Sequence, residues 1–184
     1  MSMPIPTDDD KDELLLSCRY GDLEDIKQFV EKFGSHSLND IRDENGNCVL
    51  HMVCGNGHTE CLDYLIDKVS PTLLSIQNNA KSTPLHWAAL NSHLPIVQKL
   101  VQFPKGPGVD LIDVKNTAGR TPLGEAENVG WEEGANWMVG VMNLVEGNSK
   151  EEEDQVVDNP ADIEVEIQDA EGQVAKMKIE SVFL

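Results

Sequence analysis

Five cysteine and histidine residues recur every three or four positions in one short stretch of the chain. They are Cys48, His51, Cys54, His58 and Cys61, and thiolate and imidazole groups are ligands that zinc prefers. Structural zinc sites usually combine short ligand pairs from separate segments, whereas these residues form a single run. We therefore predict neither a metal site nor a cofactor. We expect reduced thiols in the small-residue packing positions of an intracellular protein.

The sequence contains no short motif for common catalytic or phosphate-binding chemistry. It has no phosphate loop, no Gly-x-Gly-x-x-Gly, no Gly-x-Ser-x-Gly and no Cys-x-x-Cys. His51 and His86 occupy the same place at the start of two predicted helices, so we expect hydrogen bonds between neighbouring units and not a catalytic base. Glu125 and Glu127 lie two residues apart on a predicted helix and point to different sides, which argues against an acid–base pair. We predict a binding module that is not an enzyme.

The histidines belong to a pattern that is most complete over residues 82–93, Ser-Thr-Pro-Leu-His-Trp-Ala-Ala-Leu-Asn-Ser-His. A hydroxyl at Thr83 followed by Pro84 is typical of a helix start. Ile96, Val97 and Leu100 then recur at helical spacing. The pattern predicts a short helix, a tight turn and a longer antiparallel helix. Such a small unit cannot bury its apolar face alone, so neighbouring units must stack on it.

Related copies surround this segment. The aligned residues Asp12, Cys48, Thr83 and Thr121 lie 36, 35 and 38 residues apart. The copies resemble the ankyrin repeat, which has a period of about 33 residues and the signature Thr-Pro-Leu-His-x-Ala-Ala. The resemblance implies a mainly α solenoid of four repeats, built from helix-turn-helix units with β-turn fingers. The predicted repeats span about 12–42, 43–77, 78–115 and 116–145.

Acidic residues are concentrated outside the repeats. The net charge is −19, of which residues 1–13 carry −4, the repeat body −6 and residues 146–184 carry −9. Such a surface repels nucleic acid and anionic membranes and attracts basic partners. The alternative is that the charge serves solubility alone. No apolar run approaches the roughly 20 residues of a membrane span, and we expect no signal peptide.

The two ends of the chain differ from the repeats. We predict a disordered acidic N-terminus over 1–11, an acidic linker over 146–162 and a β-hairpin over 163–184. In the last segment apolar and polar residues alternate. One register places Glu164 opposite Lys178 and Glu166 opposite Lys176, with apolar residues together on the other face. An isolated hairpin is marginally stable, so it should dock on something.

In ankyrin stacks a partner usually lies against the fingers and the first helices of the repeats. Transferring that arrangement by position predicts a set of partner-binding residues. Trp87 is notable among them because exposed tryptophan is common at binding hot spots, although packing between repeats is an equally good interpretation. The predicted residues are Arg19, Tyr20, Glu44, Asn45, Asn47, Asn56, Trp87, Leu90, Asn91, Arg120, Glu125 and Asn128.

Several features together resemble a narrower family. They are a four-repeat stack, His-Trp-Ala-Ala-Leu-Asn at 86–91, Glu-Ala-Glu-Asn-x-Gly at 125–130 and an acidic C-terminal tail. They are similar to fungal ankyrin-repeat chaperones dedicated to one ribosomal protein, a KH-domain protein of the 40S head. The resemblance implies a monomer that keeps a basic client soluble for ribosome assembly, in cytoplasm and nucleus, without binding nucleic acid or membrane. The alternative is an ankyrin adaptor or an inhibitor of a signalling or transcription protein.

Overall fold

Antiparallel pairs of short helices make up most of the described part of this protein in the computed structural model. The structure describes residues 3–153, 164–168 and 174–178, and the chain forms two units, Met1–Leu144 and Val145–Leu184. Two 3-10 helices, Ser35–Asn39 and Pro71–Ser75, lie between helix pairs. The prediction of a mainly helical protein is confirmed. The helices are α1 (Asp8–Tyr20), α2 (Leu23–Phe33), α3 (Val49–Gly55), α4 (Thr59–Leu65), α5 (Pro84–Leu90), α6 (Leu94–Gln102), α7 (Asp110–Asp113), α8 (Pro122–Asn128) and α9 (Glu132–Glu153).

Helices α3 and α5 begin with the same side-chain arrangement. Nδ1 of His86 accepts a hydrogen bond from the backbone N–H of Thr83 at 3.1 Å and lies 2.8 Å from the Thr83 hydroxyl. In α3, Nδ1 of His51 accepts from the backbone N–H of Cys48 at 3.2 Å, with the thiol also 3.2 Å away. Each histidine therefore satisfies one of the N–H groups that a helix start leaves without an intrahelical partner.

The opposite ring nitrogen of each histidine reaches the next helix pair. Because Nδ1 is an acceptor, Nε2 carries the proton and donates. His51 donates to the carbonyl of Ser82 at 2.9 Å, and His86 donates to the carbonyl of Arg120 at 3.1 Å. The prediction that both histidines bond between units is confirmed.

The histidines at the turns inside the helix pairs form hydrogen bonds in the opposite direction, to the preceding helix pair. Nε2 of His58 donates to the carbonyl of Arg19 at 2.8 Å, and Nε2 of His93 donates to the carbonyl of Gly55 at 3.2 Å. Gly57 has a φ of +78°, and a Cβ there would lie 2.7 Å from the His93 ring. Glycine at this turn therefore provides both the left-handed backbone and the space for the histidine of the following pair.

Apolar side chains from α1 to α9 form one hydrophobic cluster in the unit Met1–Leu144. The side chains of the four cysteines lie inside it, at 0% to 2% exposure. None of the described helices combines the length and apolar character needed to cross a bilayer. The largest fully buried side chains are Ile26, Leu38, Ile41, Leu50, Leu62, Leu65, Leu74, Leu85, Ile96, Leu100, Leu111 and Ile112.

The N-terminal prediction needs correction. Residues 1–11 were expected to be disordered, but α1 begins at Asp8. Thr7 and Asp10 form a reciprocal capping box, in which the Asp10 N–H donates to the Thr7 hydroxyl and the Thr7 N–H donates to the Asp10 carboxylate. Lys32 of α2 also pairs with Asp10 at 3.1 Å. The acidic residues at the start of α1 therefore stabilise a helix N-terminus.

The boundary at the other end of the helical region also differs from the prediction. The acidic linker was expected over 146–162, whereas α9 continues to Glu153. The run Lys-Glu-Glu-Glu at 150–153 consists of residues with high helix propensity, which favours continuation of the helix. Residues 154–162 lie outside the described part of the chain.

The described strands of the second unit are β1 (Glu164–Gln168) and β2 (Val174–Lys178). They pair antiparallel, with Glu164 opposite Lys178 and Glu166 opposite Lys176. The predicted hairpin over 163–184 includes a connecting loop and a C-terminus outside the described residues. As a complete element that docks on another surface, it stays a prediction.

Candidate protein-binding site

The inner helices α1, α3, α5 and α8 pack side by side and carry equivalent residues on one surface. Two positions four residues apart, one within each helix and one at its last residue or C-cap, share that face because four residues are close to one helical turn. We call the surface formed by these positions and Leu90 the inner face. The first position holds Leu16, Met52, Trp87 and Glu125, and the second holds Tyr20, Asn56, Asn91 and Val129.

Much of the inner face is apolar and accessible to solvent. The exposed fractions are 49% for Leu16, 75% for Tyr20, 44% for Leu90 and 43% for Val129. Exposed apolar residues scattered singly are normal on soluble proteins, but here the partly buried Met52 of α3 and Trp87 of α5 lie on the same face between them. This apolar stripe can therefore accept apolar side chains of a partner.

Trp87 lies at the centre of the inner face and also packs between helices. Its indole meets the His51 ring edge to face, with centroids 5.5 Å apart. A Cβ on Gly55 would lie only 2.6 Å from the indole, so the ring occupies space that the missing side chain leaves open. The side chain is partly buried. Trp87 thus belongs to the packing between α3 and α5 and still borders the inner face.

The burial of Asn47 corrects its assignment to the binding surface. Its side chain is 4% exposed and donates to the Asp43 carboxylate at 2.8 Å. Its amide oxygen accepts a hydrogen bond from Asn78 at 2.7 Å. Asn47 connects two fingers from inside the protein, and its polar atoms face internal partners.

Glu125 needs the same correction. It is 5% exposed, accepts a hydrogen bond from Asn116 at 2.7 Å, and lies 3.0 Å from Nε of Arg120. A buried carboxylate requires such partners to compensate for its lost hydration. Glu125 therefore holds the last finger against α8. Arg120 is exposed, but its guanidinium is oriented by this internal pair.

The cysteine and histidine residues are engaged in packing and in hydrogen bonds within the protein. Burial raises the pKa of the Cys18, Cys48 and Cys54 thiols, and the thiolate is the form that binds metal or attacks an electrophile. Burial also lowers the pKa of His51 to about 4, against the opposing effect of its bond to the Ser82 carbonyl. Within the part of the chain that the structure describes, no group of three potential ligands converges.

The family profile described as "Ankyrin repeats (3 copies)" matches residues 14–113. The chain belongs to the ankyrin-repeat family. The profile extends from the middle of α1 to the end of α7 and includes the two histidine-capped inner helices, so the ankyrin prediction is confirmed.

Similar proteins include two mouse proteins that match parts of this chain. The chain is 37% identical over 65 residues to Synphilin-1, covering 35% of this chain and 7% of that protein. It is 29% identical over 107 residues to Palmitoyltransferase ZDHHC13, covering 57% of this chain and 16% of that protein. The matched region thus spans less than one fifth of each of these relatives.

A solved structure is similar over a much larger share. It is described as the yeast ribosomal protein Rps3 in complex with its chaperone Yar1. The match has a TM-score of 0.66 and 29% sequence identity, and it covers 72% of this chain and 93% of that chain. The ankyrin fold of this protein is therefore shared with an ankyrin-repeat chaperone.

The other predicted residues lie at the surface of the ankyrin repeats. Glu44 and Asn45 are exposed at a finger, where their carbonyls accept hydrogen bonds from Asn79 of the next finger. Asn56 and Asn91 are exposed, but their amides donate to carbonyls at 2.8 and 3.0 Å at the ends of α3 and α5. Arg19, Tyr20, Leu90 and Asn128 are exposed as well.

Sequence reasoning missed Leu16, Met52 and Val129. They occupy inner-face positions equivalent to predicted residues in other ankyrin repeats. A strict alignment of the four copies would have identified them, because Leu16 and Met52 align with Trp87 and Val129 aligns with Asn91. The prediction favoured polar residues at those positions and therefore did not include the apolar stripe.

Proposed function

We propose that this protein is a non-enzymatic chaperone that binds a basic ribosomal protein of the small subunit and keeps it soluble for ribosome assembly. The likeness to Yar1 carries the proposal, because it extends over 93% of that chain. Yar1 is described as the chaperone of ribosomal protein Rps3. The client of the present protein would be Rps3 or a protein of similar chemistry, and the complex would act in cytoplasm and nucleus.

The charge of the chain supports a basic client. The net charge is −19, and opposite charge accelerates encounter and disfavours acidic competitors. A free ribosomal protein carries many lysines and arginines that would otherwise meet RNA. An acidic chaperone competes with RNA for those groups and is itself repelled by RNA.

The apolar stripe supports a direct protein contact. Charge alone gives weak and salt-sensitive association, whereas buried apolar and aromatic anchors supply most interface affinity. Leu16 and Tyr20 of α1 and Trp87 and Leu90 of α5 offer such anchors on the two helices that flank α3. We include α8 and α9 as a fourth repeat that completes the inner face through Val129.

The test is suppression of client aggregation. Purified yeast Rps3 would be diluted into ribosomal RNA, and light scattering would be followed with and without this protein. We expect Leu90→Asp to lose most of the protection, because it places a charge in the stripe. Val139→Asp is the matched control, since Val139 is 42% exposed and Leu90 is 44% exposed, but Val139 lies outside the inner face.

Two results would refute the proposal. Scattering that the wild-type protein does not reduce would remove the chaperone role for this client. Equal loss of protection in both variants would show that the inner face is not the contact surface. If adding this protein does not change the scattering, and it instead captures an acidic signalling or transcription protein, the adaptor function would be favoured.

A further inference from the structure

A groove separate from the centre of the inner face runs along the first helix pair. It is lined by residues of α1 and α2 and by Asp22 between them, and has a volume of about 490 Å³. Leu14, Phe29 and Phe33 contribute to its lining, although each is at most 7% exposed. Leu16 and Tyr20 stand at its edge and are exposed. The groove therefore offers apolar surface mainly at Leu16 and Tyr20, where it continues into the apolar stripe, and the rest of its lining is largely polar.

Carboxylates surround this apolar surface. Glu13 of α1, Asp22 at the N-cap of α2 and Asp25 of α2 line the groove and are exposed. Lys32 is a basic residue of the same lining, but its ammonium group pairs with Asp10 at 3.1 Å and lies 4.5 Å from the centre of the Phe33 ring. The carboxylates thus dominate the potential of the groove.

We propose that this groove is a second docking surface, and that it takes a cationic segment of a partner protein with leucine or phenylalanine anchors flanked by lysine or arginine. Apolar anchors would contact Leu16 and Tyr20, with the edge of Phe29 beneath them, while the flanking cations would face Glu13 and Asp25. This arrangement satisfies both parts of the surface, since the anchors lose water and the charges are complementary. The proposal does not depend on the chaperone function.

Electrostatic repulsion argues against other molecules that could bind in the groove. A second copy of this chain would place the acidic edge of one groove against an acidic surface of a protein with net charge −19. The C-terminal segment 146–184 carries −9 and would be repelled in the same way. An anionic membrane or RNA meets the same repulsion. A basic peptide segment is the remaining partner that matches the groove.

The test uses a fluorescein-labelled helical peptide of lysines with leucines at positions i, i+3, i+4 and i+7, titrated with the full chain and followed by anisotropy. The test variant is Glu13→Lys with Asp25→Lys. The control is Asp12→Lys with Glu31→Lys, which makes the same charge change at exposed residues of the same two helices, outside the groove lining. Circular dichroism would establish that each variant is folded.

We expect the groove variant to bind the peptide about tenfold more weakly than the control variant. Tyr20→Ala should also weaken binding severalfold, because Tyr20 is 75% exposed and contributes contact area without supporting the core. Trp87→Ala should leave binding of this peptide unchanged. Bound peptide should slow amide hydrogen exchange in α1 and α2.

Other outcomes would overturn the proposal. Equal weakening in the groove and control variants would mean that the peptide responds to net charge alone. Loss of binding in Trp87→Ala, with the groove variant unaffected, would place the peptide on the central inner face. Slower hydrogen exchange in α5 and α8, without a change in α1 and α2, would lead to the same conclusion.

Discussion

Protonation of His51 should control the stability of this protein in mildly acidic solution. The imidazole is fully buried, and burial lowers its pKa to about 4 from an ordinary value near 6.5. In the unfolded chain the ring binds a proton as the pH falls through 6.5, whereas in the folded chain it stays neutral until about pH 4. The contribution of His51 to the unfolding free energy is therefore complete above pH 6.5 and decreases as the pH falls toward 4.

The size of this effect follows from the two pKa values. A shift of 2.5 units, the difference between 6.5 and 4, corresponds to about 3.4 kcal/mol once both forms have titrated. Between pH 7 and pH 5, linkage gives a loss of about 1.8 kcal/mol from His51 alone. Burial lowers the pKa of His86 as well, so the total loss from the two histidines should be larger.

Urea unfolding at a series of pH values would measure this loss. We expect His51→Gln to reduce the pH dependence between pH 7 and 5 by most of the 1.8 kcal/mol, even if the variant is less stable throughout. His36→Gln is the matched control, because it removes an imidazole that is exposed. Surface carboxylates titrate in both variants, so their contribution cancels in the comparison.

A direct titration provides a second measurement. The Cε1–H resonance of His51 should not move until the pH falls below about 5, because the folded ring resists protonation. A midpoint near 6.5 in the folded protein would refute the reasoning. Equal pH dependence of stability in the two variants would refute it as well, since burial of His51 would then have no effect on its proton affinity.

Two further predictions concern the turns and the thiols. Gly57→Ala should lower the unfolding free energy by about 1 kcal/mol or more beyond the loss caused by Gly130→Ala. Both glycines have a positive φ, but of the two only Gly57 is crowded by the His93 ring. Thermal unfolding of the two variants would measure the difference. Burial raises the pKa of the Cys18 and Cys54 thiols, so Ellman's reagent should label them only as fast as the protein unfolds, and immediate labelling in native buffer would contradict this.

Local motifs made much of the fold predictable from the sequence. Thr83, Pro84 and His86 form a helix start through contacts within three residues, so their identities determine the local geometry. Repetition of the motif then predicted the stacking of helix pairs. The start of α1 was missed because the acids after Thr7 suggested solvation, although Thr7 and Asp10 have capping-box spacing.

The candidate site was less predictable because burial depends on partners from other repeats. Asn47 is inside because Asn78, 31 residues away, donates to it. Glu125 is inside because Asn116 and Arg120 surround it. Aligning a residue with the repeat signature identifies the helix face on which it lies. It does not show whether the polar atoms of that residue already form hydrogen bonds with a neighbouring finger.

The hydrogen bonds between the ankyrin repeats are unequally distributed along the stack. The boundary between the second and third repeats is crossed by His51 to Ser82 in one direction and by His93 to Gly55 in the other, and by contacts between their fingers. Between the third repeat and the segment before α8, His86 bonds to the Arg120 carbonyl and the Thr117 N–H donates to the Ala80 carbonyl, but the sequence has tryptophan at 131 where the second and third repeats have histidine.

This distribution gives the stack a cooperative centre and more weakly coupled ends. In a one-dimensional array, the nearest-neighbour coupling at each boundary decides whether a repeat opens alone or with its neighbours. The second and third repeats should therefore open together, while the first, which carries Leu16 and Tyr20, opens at a lower free energy. A partner that contacts both Tyr20 and Leu90 would add coupling across the boundary between the first and second repeats. The repeats that otherwise open separately would then open in a single concerted transition.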